Sequence, residues 1–90
     1  MKIGDDGCPN PRVQTVTKHD VVIWHYEDGK KIKVKFKDKD PFEWFATDEK
    51  KDYVVFGRVE EEPSTYEYGA GIDDGADCPD RTGPKIIVEG

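Results

Sequence analysis

The fold is decided by the stretch Val21–Lys37, which reads VVIWHYEDGKKIKVKFK. Its second half alternates strictly between apolar residues and lysines, from Ile32 to Lys37. Successive side chains of a strand point to opposite faces, so such a run buries one face and solvates the other. The pair Asp28-Gly29 between the two runs is typical of a tight turn, and the stretch therefore predicts a β-hairpin.

Size and composition limit what surrounds this hairpin. The chain has 90 residues, of which 34% are hydrophobic and 38% charged. We expect one β-sandwich domain over residues 1–90 with a thin core, and an irregular segment over residues 1–11, where prolines and glycines are dense. The net charge of −6 argues against nucleic-acid partners, and no apolar run is long enough for membrane insertion.

Further short strands follow from the same alternation. They are predicted at Arg12–Lys18, Tyr53–Val59, Ser64–Tyr68 and Lys85–Glu89. Gly69–Pro84 is rich in Gly, Asp and Pro and is predicted to be a long loop. About six to seven short strands at roughly 8–12-residue spacing predict an all-β, antiparallel Greek-key β-sandwich.

Four segments of the sequence resemble strands of the cupredoxin-like β-sandwich. They are Val16–Trp24, which enters a core strand through a turn ending in Asp, then Asp28–Phe36, Tyr66–Tyr68 and Lys85–Val88. Immunoglobulin-like sandwiches share this alternation and stay open as the alternative. The resemblance implies a copper site made of two imidazoles, a thiolate and a weak axial ligand. Laid over this chain, one histidine position holds Ile32 and the thiolate position holds Ala70. Because this chain departs from the family at these ligand positions, we expect a cupredoxin-like domain with no metal and no cofactor.

The two cysteines, Cys8 and Cys78, each precede a proline in a loop rich in Gly and Asp. A disulfide between them would tie the N-terminal segment to the long loop. Free thiols or half of a zinc site are the alternatives, although no Cys-x-x-Cys spacing supports zinc. A disulfide would favour an exported protein, periplasmic or secreted.

Three other groups of residues are candidates for binding. His19 and His25 lack a third metal ligand and are interpreted as surface histidines. The acidic loop Asp73–Asp80 offers oxygens for calcium but does not match the EF-hand spacing, so a solvated loop is favoured. The lysine ladder is interpreted as a solvated face that protects a sheet edge, with anion binding as the alternative; it comprises Lys31, Lys33, Lys35, Lys37 and Lys39.

An aromatic cluster is the candidate for contact with another protein. Phe42, Trp44 and Phe45 fall within four residues of irregular sequence, and exposed aromatics mark partner sites. The alternative is that they cap one end of the core.

No catalytic arrangement is visible: the sequence has no phosphate loop and no dinucleotide fingerprint. The sequence therefore predicts a non-enzymatic binding or structural module, expected to act through protein contact. The alternative is a metal-binding protein related to cupredoxins, with copper or calcium as the ion.

Overall fold

A computed structural model describes residues 1–27, 29–42, 50–79 and 83–90, and these form nine β-strands. The strands are β1 (Lys2–Ile3), β2 (Pro9–Asn10), β3 (Val13–Thr17), β4 (Val21–His25), β5 (Ile32–Phe36), β6 (Lys50–Asp52), β7 (Val54–Arg58), β8 (Ser64–Ile72) and β9 (Lys85–Glu89). In these ranges there is no helix long and apolar enough to cross a membrane.

The strands form two sheets. One sheet has the order β2-β1-β4-β7 and the other the order β3-β9-β8-β5-β6. Most neighbours are antiparallel, but β1 runs parallel to β4 and β3 runs parallel to β9. The chain passes from the second sheet to the first between β6 and β7, which only Tyr53 separates. The expected all-β sandwich is therefore confirmed.

The core lies between the two sheets and is centred on Trp24 of β4. The Trp24 ring makes edge contacts with Phe42 and Tyr68, at centroid distances of 5.8 and 5.4 Å. The other buried members of the cluster are Ile3, Val16, Val22, Ile32, Val34, Phe36, Val55, Val59, Tyr66, Ala70, Ile72, Ile86 and Val88. Aromatic rings bury large apolar areas, which compensates for the low apolar share of the composition.

One polar pair crosses this core. Trp24 Nε1 donates a hydrogen bond to the hydroxyl oxygen of Tyr68, 3.1 Å away. Burial raises the pKa of Tyr68 to about 12, although the bond from Trp24 acts in the opposite direction. Desolvation disfavours the phenolate, so the hydroxyl stays neutral over the physiological range.

The predicted hairpin is wrong. β4 pairs with β7, with Ile23 opposite Phe56, and β5 pairs with β8, with Val34 opposite Ala70. The connection between β4 and β5 therefore crosses from one sheet to the other. Both strands have an apolar inward face, so their alternation identifies the buried side without identifying the partner strand.

Two further expectations need correction. The segment over residues 1–11 contains β1 and β2, which pair with each other and extend the first sheet. The predicted loop at Gly69–Pro84 begins as strand, because β8 continues to Ile72 and pairs with β5 over that length. The described strands are accordingly more numerous than six or seven.

Candidate functional site

The outer face of the four-stranded sheet carries adjoining apolar side chains. Val21 and Ile23 point outward from β4, and Val54 and Phe56 from β7; we call these four residues the apolar face. Their exposed fractions are 57%, 46%, 48% and 69% in that order. Ile23 lies directly opposite Phe56, so the patch is continuous across the two strands.

The local sequence explains this face. Val21–Trp24 and Val54–Phe56 are unbroken apolar runs, so both faces of each strand are apolar. The inward set includes Val22, Trp24 and Val55, which are buried in the core. Such runs are typical of strands covered on both sides, yet in the described ranges nothing covers the outward set.

Polar groups border the apolar face. His25 lies opposite Val54, and Arg58 lies opposite Val21. Arg58 Nε is 3.1 Å from Glu60 Oε1, and His19 Nδ1 is 3.2 Å from the same oxygen. The Glu60 carboxylate thus joins two basic side chains in a small surface network.

The two histidines are not brought together. His19 lies in the turn before β4, in the left-handed region at φ 79°, and its amide donates to the carbonyl of Val59 at 2.7 Å. His25 ends β4 and is exposed. Strand geometry separates the two by roughly 15–20 Å. They are surface histidines on separate parts of the sheet.

The five-stranded sheet carries a second surface feature, a cleft of about 290 Å³ on its outer side. We call it the lysine cleft; its lining residues are Lys33, Lys35, Phe36, Lys37, Gly69, Ala70, Asp77 and Cys78. Lys33 Nζ is 2.8 Å from Asp77 Oδ1 across it. The outward lysines of β5 are therefore grouped on one wall, as the alternation predicted.

The rest of the lysine ladder is engaged elsewhere. Lys31 Nζ lies 5.7 Å from the centroid of the Tyr53 ring. Lys39 Nζ is 2.7 Å from Glu61 Oε2. The hydrogen bond with that carboxylate is the main cause that raises the pKa of Lys39. Carboxylates thus neutralise the lysine ladder at Lys33 and Lys39.

The disulfide between Cys8 and Cys78 is confirmed. The Cα atoms of the two residues lie 4.6 Å apart, and 70 positions separate them in sequence. The disulfide covalently links the segment between β1 and β2 to the connection between β8 and β9. Gly7 makes the approach possible: its φ is 84°, and a Cβ there would lie 2.9 Å from the carbonyl carbon of Ala76. Neither sulfur is available as a zinc ligand.

The aromatic cluster is divided by the structure. Phe42 is 4% exposed and packs in the core against Trp24 and Phe36. Trp44 and Phe45 lie outside the described residues. Phe42 is therefore a core residue and does not present its ring at the surface.

No protein-family model matches the sequence, and no curated protein matches it significantly. The structure is similar to one described as "Novel Purple Cupredoxin from Nitrosopumilus maritimus", with a TM-score of 0.55 over 89% of this chain and 80% of that chain. The fold is cupredoxin-like. Sequence identity is 15%, so the likeness concerns the fold alone.

A cupredoxin-like fold raises the question of copper, and the residues do not fit it. Ile32 and Ala70, at the positions that the resemblance assigns to a histidine and the thiolate, lie on the paired strands β5 and β8. Both residues are buried and apolar, and neither has a lone pair to donate. Across the described ranges, no three His, Cys, Asp or Glu side chains come close enough to hold a metal ion.

The acidic loop has structural contacts of its own. The amide of Asp73 donates to the carbonyl of Lys31 at 2.8 Å, and that of Gly75 to the carbonyl of Ile72 at 2.9 Å. Asp77 faces Lys33, as described above. Asp80 lies outside the described residues.

Sequence reasoning missed the apolar face. The contact prediction was based on the aromatic cluster, of which Phe42 is buried in the core. The available signal was the loss of alternation in Val21–Trp24 and Val54–Phe56, where apolar residues occupy both phases of the strand.

Proposed function

We propose that this protein is a non-enzymatic protein-contact module that binds another protein through the apolar face. The single observation that carries the proposal is the exposed Ile23–Phe56 pair between Val21 and Val54 on a regular sheet. Single exposed apolar residues are common on monomeric proteins, whereas contiguous apolar patches are often interaction sites.

The chemistry of the face indicates the kind of partner. A standard interface covers roughly 800 Å² on each side, so four side chains supply the centre of a contact and not the whole of it. The border is polar: it holds His25, Lys2, whose Nζ is 2.8 Å from Glu27 Oε1, and Arg58, whose Nε is 3.1 Å from Glu60 Oε1. A partner with an apolar patch surrounded by polar groups would meet both features, as interfaces combine an apolar centre with a polar rim.

A photo-crosslinking amino acid tests the proposal. It is placed at Phe56, and in a control protein at Thr15, which is exposed on β3 of the other sheet. Both proteins are irradiated in an extract of the organism that makes them. We expect a partner that is captured from position 56 and absent from position 15.

The captured protein is then purified and titrated. Phe56→Lys should weaken its binding at least tenfold, because a buried ammonium replaces an apolar contact, whereas Thr15→Lys should leave it unchanged. Both variants should keep the melting temperature of the parent. Capture of a second copy of this chain alone, or equal binding by Phe56→Lys, would contradict the proposal.

Export is part of the same proposal and is supported by the Cys8–Cys78 bridge. Disulfides persist in oxidising compartments and are rare in the cytosol. Thiol labelling of the protein in its native host should find both cysteines unreactive before reduction. Labelling of both without reductant would place the protein in a reducing compartment.

A further inference from the structure

The lysine cleft lies in the other sheet and is independent of the apolar face. Its floor is backbone, because glycines of β8 lie opposite lysines of β5: Gly69 faces Lys35, and Gly71 faces Lys33. Outward side chains of neighbouring strands normally fill such a surface. Here the lysines border an open trough.

The space at the Cβ position is occupied at Gly71 and open at Gly69. A Cβ on Gly71 would lie 2.5 Å from Asp77 Oδ1, so this glycine accommodates the 77–78 segment. A Cβ on Gly69 would meet no atom closer than the Lys35 carbonyl oxygen at 3.9 Å. The space above Gly69 is therefore not used by the packing of the described residues.

The charge on the wall of the trough is only partly balanced, because Glu67 lies opposite Lys37 on β8 while Gly69 lies opposite Lys35. Lys33 has Asp77 as a partner. Lys35 and Lys37 are exposed, and within the described parts of the chain neither makes an ion pair. They alternate along one strand, about 7 Å apart at the backbone, which lets two flexible ammonium groups reach one anion between them.

We propose that the lysine cleft binds a small ligand through a phosphate or sulfate group held by Lys35 and Lys37 above Gly69. An ammonium group is a strong point-charge partner for such oxyanions. The volume of about 290 Å³ lies at the lower limit for small-molecule sites, so the ligand should be small. A long polyanion is disfavoured because it would extend beyond the two lysines over Asp77 and Glu67, on a protein of net charge −6.

Backbone-amide NMR with phenyl phosphate and phenyl sulfate as probes tests the site and separates the two oxyanions. We expect saturable shifts at Lys35, Gly69 and Ala70 with at least one probe. Raising the salt concentration should weaken binding, because exposed charges are screened. The double variant Lys35→Gln/Lys37→Gln should bind at least tenfold more weakly.

Two variants make the test specific. Gly69→Glu places a carboxylate beside Lys35 in space that is open, so it should abolish binding while the melting temperature is kept. Lys18→Gln removes an exposed lysine from the turn before β4 and should bind as the parent does. This pair separates the cleft from a general effect of positive charge.

Three results would overturn the proposal. The first is a linear, unsaturated response to both probes. The second is equal weakening by Lys18→Gln. The third is tighter binding of a heparin oligosaccharide or a single-stranded oligonucleotide, with shifts that spread past the cleft, since that would indicate a polymer surface.

Discussion

Trp24 and Tyr68 lie on different sheets and are joined by a buried hydrogen bond of 3.1 Å from the indole nitrogen to the phenol oxygen. Tyr68→Phe removes the acceptor and keeps the ring. We expect the free energy of unfolding to fall by about 1–3 kcal/mol, the cost of a buried donor that loses its partner. Urea denaturation measures it. Tyr26→Phe is the control, because its hydroxyl bonds Asp5 at an exposed site and its loss should cost less than about 0.5 kcal/mol.

The same tyrosine predicts a loss of stability in alkali. Its pKa is raised to about 12 in the fold, against an ordinary value of about 10. Between pH 10 and 12 the unfolded chain releases this proton and the folded chain keeps it, so stability falls as pH rises, by up to about 1.4 kcal/mol per pH unit. Below pH 10 this group has no effect on the slope. Urea midpoints from pH 9 to 12 should fall more steeply for the parent than for Tyr68→Phe, and parallel curves would contradict the prediction.

Opening the Cys8–Cys78 bridge should destabilise the protein strongly. The bridge joins two residues that are 70 positions apart in sequence, and for a loop of this length chain entropy gives about 4 kcal/mol as an upper figure. Small domains have only about 5–15 kcal/mol in total. Thermal unfolding of the Cys8→Ser/Cys78→Ser variant should show a melting temperature many degrees lower. The parent in reductant should match it, and an unchanged melting temperature in both would refute the estimate.

Alanine should destabilise the protein at Gly57 and have little effect on its stability at Gly69. Gly57 lies beneath the Phe42 ring, and a Cβ there would be 2.6 Å from Phe42 Cδ2. Gly57→Ala should therefore cost about 1–3 kcal/mol through overpacking. Gly69→Ala has open space and should stay within about 0.5 kcal/mol of the parent. Denaturant titration compares them, and Phe42→Leu should cost less in the Gly57→Ala background than alone, since neighbouring changes couple.

Alternation along the chain predicted the strands well, because a period of two reflects the geometry of one strand. Ile32, Val34 and Phe36 are buried and Lys35 is exposed, as the pattern indicates. The pairing of strands was not predictable in this way. Trp24 and Val34 face the core from opposite sheets. The alternation of their two strands would be the same if the strands were paired in a hairpin, so the pattern does not identify the partner strand.

The sites were predictable to different degrees. The sequence allows only one intramolecular pairing of cysteines, Cys8 with Cys78, but whether they form a bridge or stay free thiols is decided by the structure. The sequence does not predict a strand at Gly69–Ile72, because glycine has a low strand propensity. In the structure, pairing with β5 overrides that propensity. The lysine cleft depends on this same register and could not be seen before β5 and β8 were known to be neighbours.

The bridge from residue 8 to residue 78 makes most of the chain a covalent ring. A protease that cuts once at any position from 9 to 77 leaves two fragments joined through sulfur. Such a nicked molecule would run as a single species on a denaturing gel and separate only after reduction. Its β3 and β9 strands, which are neighbours in one sheet, would stay tethered after the cut, so reassembly of the sheet would be a unimolecular process.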